Sequence, residues 1–183
     1  DNRLTSELVS EIIHGTTVAT NAILQNQGAR TALVTTRGFR DVLEFRRLRF
    51  PDLFSLDYTP PKPLVQRRQR FEVIERIMPD GSIRQPLDDV SVKSVLEKLE
   101  QLQPEAIAIC LLHSYANPIH ERKVIEAVKT RFPDVYVSGS VDVLPEIREY
   151  ERTSTTVINS YIGPIIDSYL KSMRKRLDHA NMP

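Results

Sequence analysis

The apolar positions fall into two kinds of run, and their alternation predicts a layered α/β fold. Thr31 to Thr36 (TALVTT) and Ala106 to Leu112 (AIAICLL) are short, almost continuously apolar and bounded by turn residues. Runs of this kind read as strands buried on both faces, the pattern of a parallel sheet. Elsewhere the apolar residues recur at helical spacing: Val92, Val95, Leu96, Leu99 and Leu102, then Val124, Ile125 and Val128. Asp88 or Ser91 can cap the first of these helices, and Pro104 ends it. His120 and Glu121 open the second. Val135 to Val137 adds another strand, so residues 88–139 read helix, strand, helix, strand, which fits a right-handed parallel crossover.

The N-terminal part repeats the theme less cleanly. Residues 1–8 read as a polar helix. The apolar run Leu8, Val9, Ile12 and Ile13 then leads, as a strand end or a helix–strand join, into a turn and a helix over Val18 to Asn26. Gln27-Gly28 supplies its stop. After TALVTT, the turn Arg37-Gly38 runs into an amphipathic stretch with Val42, Leu43 and Phe45. Two such units in tandem predict loops gathered at the strand ends, where α/β sheets bind ligands. Pro60, Pro61 and Pro63 mark an extended connection. Phe71 to Ile77 alternates, Asp80-Gly81 is a turn signal, and Ile83 to Leu87 follows, which predicts a β-hairpin standing apart from the α/β units. Towards the end, Leu144 to Thr156 is dense in charge and hydroxyls. A helix over Val157 to Ile162 is expected to break at Gly163-Pro164 and resume from Ile165 to Leu177.

Composition narrows the partners. With 183 residues, 40% of them apolar, the chain can build a sizeable core, and its net charge of +1 gives no electrostatic case for nucleic acid or an anionic membrane. The single cysteine, Cys110, rules out an internal disulfide and a cysteine-based zinc site. No apolar stretch approaches the roughly 18 residues that cross a bilayer, and no secretory signal is visible. A cytoplasmic location is therefore expected.

The candidate chemistry gathers at Ile13-His14-Gly15-Thr16-Thr17. His14 is the one side chain in this turn that can exchange a proton near neutral pH. Gly15 permits close backbone approach, and Thr16 or Thr17 can cap the following helix or hold an anion. A capped helix beside a half-buried histidine would explain the same residues. The run Arg46-Arg47-Leu48-Arg49-Phe50-Pro51 offers guanidinium forks for carboxylates or phosphates. Glu149, Glu151 and Arg152 lie just before Thr153, Thr155 and Thr156, either as a solvated helix start or as a cleft-facing cluster. Neither a Walker-type phosphate loop nor GxGxxG is present. His113 and His120 lack the spacing of a helical zinc site, and Ser114 lacks a nucleophile-elbow context.

Four blocks taken together resemble the hydantoinase A / 5-oxoprolinase family. They are His14-Gly-Thr-Thr-Val-Ala-Thr-Asn-Ala-Ile-Leu, Val34-Thr-Thr-Arg-Gly-Phe-Arg-Asp-Val-Leu-Glu, Cys110-Leu-Leu-His-Ser-Tyr-Ala-Asn-Pro and Leu144-Pro-Glu-Ile-Arg-Glu-Tyr-Glu-Arg-Thr-Ser-Thr-Thr-Val-Ile-Asn. They occur in the family's order and cover nearly the whole chain. The resemblance implies an actin-like, sugar-kinase-like ATPase lobe of ribonuclease H-like topology with an inserted β-hairpin. Residues 1–150 would form the N-terminal domain, without its first hairpin and phosphate loop, and 151–183 would begin the following helical domain. It implies ATP with Mg²⁺ or Mn²⁺ in the parent protein, and no nucleotide bound to this part alone. The expected reaction is hydrolysis of a cyclic amide, a hydantoin or 5-oxoproline, after phosphorylation of the amide oxygen. A hydantoinase B-type subunit or domain and oligomeric assembly are the implied partners. An ATP-dependent ketone carboxylase of the same family, or a non-catalytic interaction domain, are the competing readings. By the same resemblance His14, Thr16 and Thr17 would be catalytic, with Gly15, Arg37, Arg49, Glu149, Arg152 and Thr153 contacting substrate or a neighbouring domain. No metal ligand is assigned.

Overall fold

The computed structural model describes residues 9–47 and 61–182, and its centre is the two apolar runs. Strands β1 (Thr31–Thr36) and β5 (Ala106–Cys110) lie side by side inside a four-stranded sheet of order β2-β1-β5-β6, all parallel. β2 (Arg70–Val73) and β6 (Tyr136–Gly139) form its edges. Every residue of β1 and β5 is buried, as strands covered on both faces must be.

Alternate side chains sort to the two faces. Ala32, Val34, Ile107 and Ile109 pack with Val95 and Leu99 of α3 (Asp89–Leu102) and with Val124 and Val128 of α4 (Ile119–Arg131). Leu33, Ala108 and Cys110 face Leu43 of α2 (Val42–Phe45) and Val157 of α6 (Glu149–His179). The small side chains Ala108 and Cys110 let α6 lie close to β5. Asp88 caps α3 by accepting hydrogen bonds from the amides of Val90 and Ser91, and Gln103 closes it in the left-handed conformation. This is a three-layer α/β arrangement.

Helix α6 organises the rest. It begins at the carboxyl ends of the strands, where the Thr153 hydroxyl donates to Cys110 Sγ at 3.4 Å. Two turns later the Tyr161 carbonyl accepts from the Ala29 amide at 2.9 Å, just before β1 starts. The helix therefore crosses the sheet from one end of the strands to the other. Its 31 residues make it about 46 Å long, so its last turns project past the sheet. The expected domain boundary between residues 150 and 151 falls in its first turn.

The structure departs from the sequence pattern in four places. The alternating run Phe71 to Ile77 is not one hairpin arm. Its first half is β2, paired parallel to β1, and only β3 (Arg76–Ile77) forms the hairpin, with β4 (Ile83–Gln85). Alternation describes a sheet-edge strand and a hairpin arm equally well, and the side chain of buried Glu75 marks where one becomes the other. Asp80-Gly81 does form the tip, with Gly81 at φ +83°. The tip is not free-standing, because Asn117 Nδ2 donates to the Gly81 carbonyl at 2.9 Å.

Second, Gly163-Pro164 does not interrupt α6. Pro164 costs one helical hydrogen bond, and packing of the helix on the sheet offsets it. Gly163 is there for contact rather than termination: a Cβ would lie 2.3 Å from the Tyr136 ring. Third, residues 9–17 adopt no regular secondary structure, so no strand leads into His14. Fourth, α1 (Val18–Leu24) has no side-chain cap; the Thr16 hydroxyl accepts from the Val18 backbone amide at 3.2 Å and that of Thr17 from Asn21 Nδ2 at 3.3 Å. Arg49, Pro60 and the helix expected at 1–8 lie outside the described residues.

Candidate functional site

Strand order locates the first site. From β1 the chain moves to β2 on one side, then crosses through α3 to β5 on the other. The carboxyl ends of β1 and β5 are thus the topological switch point, the place where open α/β sheets form a ligand crevice. A narrow crevice lies there, lined by Thr35, Phe39, Cys110, Glu149, Arg152 and Thr153. Three residues singled out in the sequence, Glu149, Arg152 and Thr153, therefore meet.

Arg152 is only 1% exposed and anchors this end of the sheet. Its Nη2 donates to the Leu111 carbonyl at 3.1 Å, to Ser140 Oγ at 2.6 Å and to Ser114 Oγ. Nε has no hydrogen-bond partner among the described residues. Glu121, fully buried, sits 3.9 Å from Nη2. It accepts from the amides of Leu111 (2.7 Å) and Val141 (2.9 Å) and from the Ser140 hydroxyl. Burial pushes its carboxyl above the usual range, against the pull of these hydrogen bonds. Beside this pair, Glu75 accepts from the Thr36 hydroxyl and contacts His120 Nδ1 at 2.9 Å. The network ties together β1, β5, α4, the α5 turn (Ser140–Val143) and α6.

In the turn that follows β5, His113 has φ +56° and stacks edge-on against Tyr115. Burial holds its imidazole below the ordinary value. Arg152 lies 5.4 Å from the Tyr115 ring centroid, a cation–π distance. Sequence reasoning missed Glu75 and Glu121 because a buried carboxylate leaves no mark in a pattern where every other charge is solvated. Arg37 is exposed and belongs to the adjoining groove along β2.

The His14 turn is elsewhere. Residues 11–17 are exposed, and His14 Nε2 shares a hydrogen bond of 2.5 Å with the Tyr169 hydroxyl. Tyr169 lies 17 residues beyond Arg152 in α6, so the two sites are about 25 Å apart along the helix. His14 and Tyr169 share a cleft with Ser172 and Arg176, which recur on one face of the helix. That spacing was available in the sequence as the only pointer to it. The cleft offers the His14 imidazole, the Tyr169 and Ser172 hydroxyls and the Arg176 guanidinium, a donor set suited to anionic oxygen, while Gly15, Thr16 and Thr17 do not line it. Among the described residues no group of three His, Cys, Asp or Glu side chains could hold a metal ion.

These features define a parallel α/β unit with a long helix carrying a polar cluster at each end. The chain belongs to the hydantoinase/oxoprolinase family, whose N-terminal region matches residues 2–132. It is 37% identical over 174 residues to the caprolactamase subunit alpha of Pseudomonas jessenii, covering 92% of this chain and 25% of that one. It is 30% identical to 5-oxoprolinase 1 of Arabidopsis thaliana, over 97% of this chain and 15% of that one. The gamma subunit of acetophenone carboxylase from Aromatoleum aromaticum is 34% identical over 82% of this chain and 22% of its own length. The crystal structure of ATP-dependent caprolactamase from P. jessenii superposes with a TM-score of 0.88 at 35% identity, covering 93% of this chain and 25% of that one. The chain thus spans a quarter or less of each of these relatives.

Proposed function

We propose that this chain is part of an ATP-dependent hydrolase that opens cyclic amides such as a hydantoin or 5-oxoproline. The observation that carries the reading is its likeness, over 93% of its length, to a caprolactamase described as ATP-dependent. The parent would have an actin-like ATPase fold and use ATP with Mg²⁺ or Mn²⁺, working with a hydantoinase B-type subunit or domain in the cytoplasm. ATP supplies the phosphoryl group that turns an unreactive lactam oxygen into a leaving group.

The exposed cleft at His14 is the part of this chain suited to the acceptor side. The His14 imidazole donates to the amide oxygen, held in orientation by the Tyr169 hydroxyl. Thr16, Thr17 and Gly15 shape the turn, and Arg176 offsets negative charge that develops there. At the other end of α6 exposed Glu149 is open to contacts with another unit of the parent, whereas Arg152 and Thr153 are buried and position that end of the sheet. A ketone carboxylase is the second reading, favoured by the likeness to the acetophenone carboxylase gamma subunit.

The test is ATP turnover by the full-length parent with its B-type partner, across hydantoins, 5-oxoproline, and ketones with bicarbonate. Turnover with a cyclic amide is expected. Turnover only with ketone and bicarbonate would move the protein to the carboxylase reading.

A further inference from the structure

The edge strand β2 borders a long open groove whose charge is far from that of the chain. The groove lies between β2, the loop after β1 and the exposed side of α3. Six cationic side chains line it against two carboxylates, Glu72 and Asp88, while the whole chain carries only +1. Several of these cations already have partners: Arg67 and Arg40 hold Asp41, and buried Arg70 holds the Val65 carbonyl and Glu44. Arg37, Arg68 and Lys98 make no ion pair among the described residues.

Their placement follows the strand. Arg68 precedes β2, and Arg37 follows β1, where its amide bonds the Val73 carbonyl at the far end of β2. Lys98 lies ten residues past the N-cap of α3, which starts beside Ile74. Cations therefore stand at both ends of a strand about 13 Å long. In a parallel pair each residue directs its N–H and C=O to the same side. Val73 faces β1, so Glu72 and Ile74 face outward. The outward Ile74 amide and carbonyl are taken by Ser91 Oγ (2.9 Å) and the Asp88 amide (2.9 Å). Glu72 presents an outward N–H and C=O with no such partner among the described residues.

We infer that this groove receives an extended acidic segment of another polypeptide, added as a short strand along β2. Main-chain bonds to Glu72 would set its register, and Asp or Glu side chains would reach Arg68 and Lys98 at one end and Arg37 at the other. The groove is separate from the crevice and from the His14 cleft, and the inference does not depend on the proposed chemistry.

The experiment is fluorescence anisotropy with a labelled hexapeptide of alternating Glu and Val, using the 183-residue chain. The expected result is saturable binding, weakened about tenfold by Arg68→Glu with Lys98→Glu, consistent with charge-complementary recognition. The milder pair Arg68→Gln and Lys98→Gln, checked for an unchanged circular dichroism spectrum, should weaken it in the same direction. A peptide N-methylated at alternate residues keeps its charge but cannot form the ladder, and should also lose binding. No saturable binding would overturn the inference. So would equal binding of the N-methylated peptide, or full displacement by tripolyphosphate with no effect of N-methylation, since either makes the groove a charge-only surface.

Discussion

The two ends of helix α6 present opposite solutions to placing polar groups. At its first turns Arg152 and Glu121 are buried, with exposures of 1% and 0%, and are held by serines and main-chain groups. Beyond the sheet, His14 lies in an exposed segment and is tied to the helix by one hydrogen bond to Tyr169. A buried charge network of the first kind fixes geometry, because losing any member leaves the others desolvated and unpaired. An exposed imidazole of the second kind adds little to folding and is open to a ligand. Polarity alone does not distinguish the two ends. Burial does.

The largest effect should come from breaking the buried end. Arg152→Met leaves Glu121 as an uncompensated interior charge and should cost about 3–5 kcal/mol in urea unfolding. A loss well under 1 kcal/mol would mean that the pair does not hold this end together. Next comes the middle of the helix. Gly163→Ala forces a Cβ against the Tyr136 ring, an overpacking worth about 1–3 kcal/mol in the same assay. An unchanged midpoint would show that the helix can move off β6 freely.

A subtler difference is pH. The Glu121 carboxyl is raised in the fold, so the folded state holds its proton more tightly than the unfolded chain does. Its contribution is fully present below the ordinary carboxylate value of about 4.3 and is lost as pH rises through the raised value. Stability measured across that window should fall with rising pH less steeply in Glu121→Gln than in the wild type, whatever the variant's absolute stability. Identical slopes would remove Glu121 from the account. The smallest effect belongs to the exposed end: His14→Ala should shift stability by less than about 0.5 kcal/mol, as a surface change does. A larger loss would make the His14–Tyr169 contact a fold element.

The sequence carries much of this architecture and little of the contrast. TALVTT and AIAICLL are legible as buried strands because a continuous apolar run admits few other readings. Phe71 to Ile77 misled because alternation is the same on a sheet edge as on a hairpin arm. Gly163-Pro164 reads as a stop, yet the glycine serves the Tyr136 contact and the proline sits in a helix held by tertiary packing. The charged run ahead of Thr153 left solvated face and cleft open, and the fold divides it: Arg152 is buried, whereas Glu149 stays exposed at the crevice. The resemblance names His14 and Arg152 together, and the length of α6 holds them apart. Tyr169 carries no sequence signal as the partner of His14, because one face of a long helix is visible only once its partner segment is placed.

The most direct test of the role proposed for His14 is ATP turnover by the full-length parent supplied with the proposed B-type subunit, comparing wild type with His14→Ala at matched thermal stability. The account predicts turnover at least ~10-fold lower, the scale of a lost acid–base or hydrogen-bonding group, with folding unchanged. Near-normal turnover in a folded variant would contradict it and leave His14 as a surface residue that packs on Tyr169.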